Sequence, residues 1–153
     1  MTQPVGAPQP SAAAFASWGA RVGASIIDAI PNIVVFILMA VAFGTSDTSG
    51  GSASFQLSGA GAAIYYLFAI GWLIYNLLYL QGSTGQSIGK RVLGIAVYKA
   101  GTSEPLGAGL TFVRQIVHVV DAAPCLIGFL WPLWDSENRT FADMIMSSRS
   151  YKV

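Results

Sequence analysis

Four polar residues, Arg21, Ser25, Asp28 and Asn32, punctuate an otherwise apolar run, and their spacing places them together. On an α-helix residues seven apart differ in direction by only about 20°, so Arg21 and Asp28 share a face, with Asp28 about 10 Å further along the axis. Ser25 and Asn32 fall on the same stripe. An ionised aspartate in the middle of a bilayer costs about 2.5–3.5 kcal/mol on insertion scales and therefore faces protein or water, with a partner. Two chemistries fit such a seam. One is an ion or proton pathway, in which burial disfavours the charged carboxylate, a nearby arginine favours it, and Ser25 and Asn32 act as neutral ligands. The other is an ion pair or hydrogen-bonded group that locks helix packing.

A second seam is formed by Arg114, His118 and Asp121 at i, i+4 and i+7, extended by Thr111. Pairing between the seams, Arg114 with Asp28 or Arg21 with Asp121, would neutralise charges that neither helix carries well alone. The alternative is an amphipathic helix lying at a membrane surface with its polar face in water. His118 is the sole histidine and Cys125 the sole cysteine. No metal site is therefore expected, Cys125 reads as a small apolar filler, and no Ser/His/Asp or Cys/His arrangement exists to support an enzyme. No cofactor is implied. Gly82, Gly85, Gly89 and Lys90 superficially suggest a phosphate-cradling loop, but Thr84 and Arg91 stand where that motif needs Gly and Ser or Thr. The string reads instead as a flexible basic connector whose Lys90 and Arg91 meet anionic lipid headgroups.

The elements that must carry these seams are membrane elements. Charged residues make up 10% of the chain against about 25% in a water-soluble domain, and a surface facing lipid needs none. Nucleic acid is excluded as a partner by the absence of a basic patch with interleaved aromatics. From Val22 to Phe43 the chain is apolar for roughly 22 residues, long enough to cross a bilayer. A Gly, Ser and Thr stretch from Gly44 to Gly59 reads as a flexible loop. Ala60 to Leu80 is a second, uncharged span edged by tyrosines and Trp72. Asn76, beside Trp72 and Tyr79, reads as an interhelical hydrogen bond, and Gly19 with Gly23 as a site of close helix approach.

Arg21 precedes the first span, Lys90, Arg91 and Lys99 follow the second, and the loop between has no Lys or Arg. The positive-inside tendency puts both flanks in the cytoplasm. Met1 to Ala14 lacks the basic start and apolar core of a secretory signal and reads as a disordered cytoplasmic tail, residues 1–14. Val92 to Lys99 is β-prone, and Ser147 to Val153 alternates so that it can pair with it. The third apolar region, Leu110 to Trp134, either crosses once or enters and returns. Only the second arrangement keeps the two candidate strands together.

The chain resembles the RDD family of bacterial membrane proteins, named for one arginine and two aspartates. The resemblance rests on Trp18-Gly19-Ala20-Arg21 leading into a helix with Asp28, on Gly85-Gln86-Ser87-Ile88-Gly89-Lys90-Arg91-Val92-Leu93-Gly94, and on Trp134-Asp135 through Phe141-Ala142-Asp143. It maps the signature onto Arg21, Asp28 and Asp143, the last of which the seams do not single out. Ala142 stands where the family pattern has His, so a role for that His does not carry over. The resemblance implies a module at 15–153 in the bacterial inner membrane, multi-pass with a cytoplasmic N-terminus, and related to transport of ions or small ligands, including cation–proton exchange. The other role it implies is that of an accessory or assembly subunit. Expected partners are membrane lipids and either further copies of the chain or another membrane protein. The expected fold is an all-α membrane protein with two transmembrane helices, a third amphipathic to re-entrant region, and a short two-stranded cytoplasmic ribbon.

Overall fold

A computed structural model describes residues 15–51, 53–122 and 127–153. The reading of 1–14 as a tail and of Cys125 as a filler concern residues outside that set. Two long helices dominate: α1 (Trp18–Phe43) and α2 (Gly59–Thr84), each of 26 residues and apolar enough to cross a membrane. Ser17 caps α1, its hydroxyl accepting the Ala20 N–H at 3.3 Å, which satisfies one of the helix's free donors.

The stretch joining them carries regular structure among its described residues. It folds into a hairpin of β1 (Gly44–Asp47) and β2 (Ser54–Leu57), paired antiparallel from Gly44 opposite Leu57 to Asp47 opposite Ser54. The reason is local packing that composition does not report. Phe55 meets Phe36 edge-on at 6.4 Å and Phe36 meets Tyr65 at 5.4 Å, tying the hairpin to both long helices.

After α2 come the short helix α3 (Ile88–Val92), β3 (Ile95–Lys99), α4 (Ala108–Ala122), α5 (Ile127–Leu130), α6 (Phe141–Ile145) and β4 (Ser148–Lys152). β3 and β4 pair antiparallel, Ile95 opposite Lys152 through Lys99 opposite Ser148, so the expected ribbon forms. Phe15 bridges to Tyr151 and stacks on it at 5.5 Å, fastening the segment just before α1 to β4.

The ends of the third apolar region meet the same end of the long helix pair. Trp72 Nε1 donates to the Asp28 carbonyl, so α1 and α2 run antiparallel with Trp18 and Gly82 at one level. Gly107 N–H donates to the Gly82 carbonyl just before α4, and Trp18 Nε1 donates to the Phe129 carbonyl in α5.

Burial is inverted relative to a soluble domain. Val41 is 84% exposed and Leu67 73%, while Asn76, Gln81, Arg114, Asp121 and Asp143 are buried. The helix α4 repeats the inversion. Thr111, Arg114 and Asp121 point into the protein, whereas Phe112, Ile116 and Val119 face outward. Its polar face is thus not the solvent-facing one of a surface helix. Exposed apolar area of this extent is costly in water and costs nothing against lipid.

Candidate functional site

Asp28 is reached from three directions. Asn76 Nδ2 of α2 donates to Oδ1 at 2.8 Å, the Gly89 N–H of α3 to the same oxygen at 2.7 Å, and the Ser87 hydroxyl to Oδ2 at 2.5 Å. Asn76 returns its own oxygen to the Ile88 N–H at 2.8 Å. The carboxylate thereby closes the N-terminus of α3, where unsatisfied N–H groups and the helix dipole favour an anion. Arg21 and Arg114 both pair with Asp143, and Asp121 pairs with His118, so among the described residues the cross-pairings suggested by the two seams do not form.

The arrangement depends on a change of helical pitch. Leu73–Gln81 within α2 is π-helical. Residues five apart on an α-helix diverge by about 140°, but bonds running i to i+5 bring them to one side. Asn76 and Gln81 are five apart and both buried. Asn76 serves Asp28, and the Gln81 Oε1 accepts from Lys90 Nζ at 2.7 Å.

Gly89 explains why α3 can approach so closely. A Cβ there would lie 2.0 Å from the Ala24 carbonyl oxygen of α1. Gly82 similarly abuts the Ala108 backbone, with 2.8 Å to an added Cβ, and Gly85 takes φ +78° while its carbonyl accepts the Val97 N–H. The glycine-rich string is therefore an ordered joint and not a flexible connector. Within it Lys90 turns inward, half-buried, and Arg91 stays exposed. Of the predicted pair, Gly19 has open space around it, while a Cβ at Gly23 would lie 3.0 Å from Leu93 Cδ1, so close approach falls on Gly89 and Gly23 and not on Gly19.

Asp143 is the second hub, fully buried. Arg21 Nη2 donates to Oδ2, while Arg114 Nη2 and Nε donate to Oδ1 at 2.7 and 3.2 Å. The Ser148 hydroxyl adds 3.1 Å to Oδ1, and the Thr140 N–H 3.2 Å to Oδ2. Thr140 in turn accepts the Asp143 N–H at 3.2 Å, completing a reciprocal capping box on α6. Burial by itself would raise this carboxyl, but Arg114 and then Arg21 outweigh it and hold it well below the usual carboxylate range. Arg21 also donates to the carbonyl of Asn138, a residue in the left-handed region at φ 52°.

Of the remaining predicted positions, His118 and Asp121 pair with each other, Nδ1 to Oδ2 at 2.5 Å, and Asp121 Oδ1 also takes the Ala142 N–H at 3.3 Å. Ser25 donates to the Arg21 carbonyl of its own helix at 3.1 Å. Asn32 Oδ1 is buried without a hydrogen-bond partner among the described residues. Helical spacing singles out neither Ser87 nor Gln81, and Gly89 and Lys90 read from the sequence only as parts of a connector. Both hubs had a legible signal, since Ser87 caps α3 and Thr140-x-x-Asp143 has capping-box spacing.

Between α1 and α4 lies a cleft of about 630 Å³ whose polar wall includes Arg21, Asp28, Lys90, Arg114 and His118. Val22, Ile26, Ala29, Leu77 and Phe129 form its apolar wall. Among the described residues Lys90 has no carboxylate in hydrogen-bond contact, only Gln81 and a distant Ser87 hydroxyl at 3.5 Å. Burial, followed by the charge of Arg114 and then of Arg21, lowers its pKa to about 8, against the opposing pull of Asp28 and Asp143.

A profile of the RDD family matches residues 15–147, which contain both hubs. The chain is 38% identical to the proline-rich antigen of Mycobacterium leprae (strain TN), over 88% of this chain and 60% of that protein. It is 36% identical to the proline-rich antigen homolog of Mycobacterium tuberculosis (strain ATCC 25618 / H37Rv), over 88% of this chain and 62% of that protein. The chain thus spans about 60% of the length of the curated relatives it matches. No solved structure matches it. With its two helices long and apolar enough to span a membrane, the chain belongs to the RDD family of membrane proteins.

Proposed function

We propose that this protein is a transport-related membrane module that handles a small charged solute at the cleft between α1 and α4. The carrying observation is that cleft itself: about 630 Å³ bounded by ionisable side chains on helices whose outer surfaces are apolar. A recess lined by ionisable side chains among helices with apolar outer surfaces is expensive and ordinarily marks a solute path. The chain acts without enzymatic chemistry and without nucleic acid. It is multi-pass in the bacterial inner membrane, with the N-terminus in the cytoplasm and α4–α5 entering and returning on the cytoplasmic side. Two spans are too few to enclose a path, so the working unit is a homo-oligomer.

Ser25 lines the cleft, and its hydroxyl bonds only to its own helix, so Ser25→Phe fills the recess without touching either hub. Reconstituted into vesicles, the wild type should carry flux for a member of a panel of small ions, and Ser25→Phe should lose it while remaining folded. Flux at the wild-type rate in Ser25→Phe, or none in an intact wild type, would overturn the reading. A second reading, an accessory subunit of a larger complex, is favoured by the exposed Ile116, Val119, Leu133 and Trp134 surface. Stoichiometric co-purification of an unrelated membrane protein in mild detergent would support it.

A further inference from the structure

The three cations Arg21, Arg114 and Lys90 equal in number the carboxylates Asp28, Asp121 and Asp143, but they do not pair one to one. Arg21 and Arg114 share a single carboxylate, Asp143, which lies buried behind them. Asp28 reaches the cleft with both oxygens already occupied by Asn76, Ser87 and Gly89. Asp121 is taken by His118 and the Ala142 N–H. Among the described residues Lys90 hydrogen-bonds only to neutral partners, Gln81 and Ser87, and it feels the charge of both arginines against the opposing pull of Asp28 and Asp143. A guanidinium has five N–H donors and an ammonium three, more than these contacts consume.

Resting on the transport-related reading of this cleft, we infer that its ligand is an anion bearing a phosphate group, seated against Lys90, Arg21 and Arg114. A phosphate offers several acceptor oxygens to cations arriving from different helices, and charge-assisted bonds of this kind are the strong ones. Neighbouring Val22, Ile26 and Phe129 provide apolar surface beside the cations, which suits the headgroup region of an anionic lipid as well as a free phosphate compound. The shared chemistry is the phosphate, and the two sources separate experimentally.

The test uses the full chain. Its thermal midpoint is followed in detergent against inorganic phosphate, and in nanodiscs of phosphatidylcholine with and without phosphatidylglycerol. Stabilisation that saturates with phosphate in detergent identifies a soluble ligand. Stabilisation by phosphatidylglycerol alone identifies a lipid. In either arm Lys90→Gln should shift half-saturation about tenfold higher. Lys90→Arg should keep the response, and Lys99→Gln, an exposed cation on β3, should leave it unchanged. Should Lys90→Gln fail to fold, Ser25→Phe must abolish the response by occlusion. Absence of any saturable stabilisation in folded wild type overturns the inference, as does a folded Lys90→Gln or Ser25→Phe that responds like the wild type. Stabilisation without flux defeats the transport reading and leaves the anion site standing, whereas cation flux without stabilisation does the reverse.

Discussion

Asp143 holds two arginines on one buried carboxylate, and the three side chains come from α1, α4 and α6. Removing one member of such a group leaves an uncompensated charge, at a cost of about 3–5 kcal/mol. Asp143→Ala should therefore lower the yield of folded protein sharply. Arg114→Ala should be milder, because Arg21 still neutralises Asp143, and fluorescence-detected size exclusion would rank the two. Since the folded carboxyl is held below its usual range, its contribution is present above the unfolded pKa and fades as pH falls towards the folded one. Thermal midpoints should accordingly drop below about pH 4. Asp28 poses a different question, because its partners are neutral donors. Asp28→Asn keeps an acceptor for Asn76 and Gly89 and can donate to Ser87, so folding should survive. Asp28→Ala strands three buried donors at about 1–3 kcal/mol each and should not. If Asp28→Asn is folded and loses flux, the charge itself is functional. If it folds and transports normally, Asp28 serves as a staple.

At the scale of elements, the joint between α1 and α3 rests on Gly89. A methyl group there would sit 2.0 Å from a backbone oxygen, which no rotamer change relieves, so Gly89→Ala must push α3 off α1 and break the Gly89 contact to Asp28. Overpacking of this kind costs about 1–3 kcal/mol. Gly19→Ala, with open space around it, should be neutral or slightly stabilising through helix propensity. Thermal denaturation of both in one detergent checks the contrast, and equal midpoints would refute the assignment. The π-helical stretch makes a second prediction. Deleting Leu78 leaves Asn76 and Gln81 four apart, and α-helical pitch then keeps them within about 40° of each other, so folded protein should be retained on size exclusion.

For the whole molecule, the question is which side of a membrane each end occupies. The hairpin β1–β2 and the ribbon β3–β4 lie at opposite ends of the α1–α2 pair. In a Cys125→Ser background, Ser46→Cys in β1 should react with an impermeant maleimide on intact cells. Lys152→Cys in β4 should react only after permeabilisation. Labelling of both from outside would rule out the proposed topology.

Periodicity and composition were enough for the two long helices and the amphipathic third region, because a lipid-facing surface imposes low charge and long apolar runs directly on the residues. The β3–β4 ribbon was legible for a related reason, as alternation survives in short strands. Partnership was not legible. Arg21 and Asp28 share a helix face, yet Arg21 reaches across 122 positions to Asp143 while Asp28 takes donors from the α2–α3 joint. Helical spacing states which residues can lie on one side of one helix, and it carries no information about what approaches that side. The approach was decided by backbone features without a periodic trace: the π-helical pitch that aligns Asn76 with Gln81, and the missing Cβ of Gly89 that lets α3 bring its N–H to Asp28.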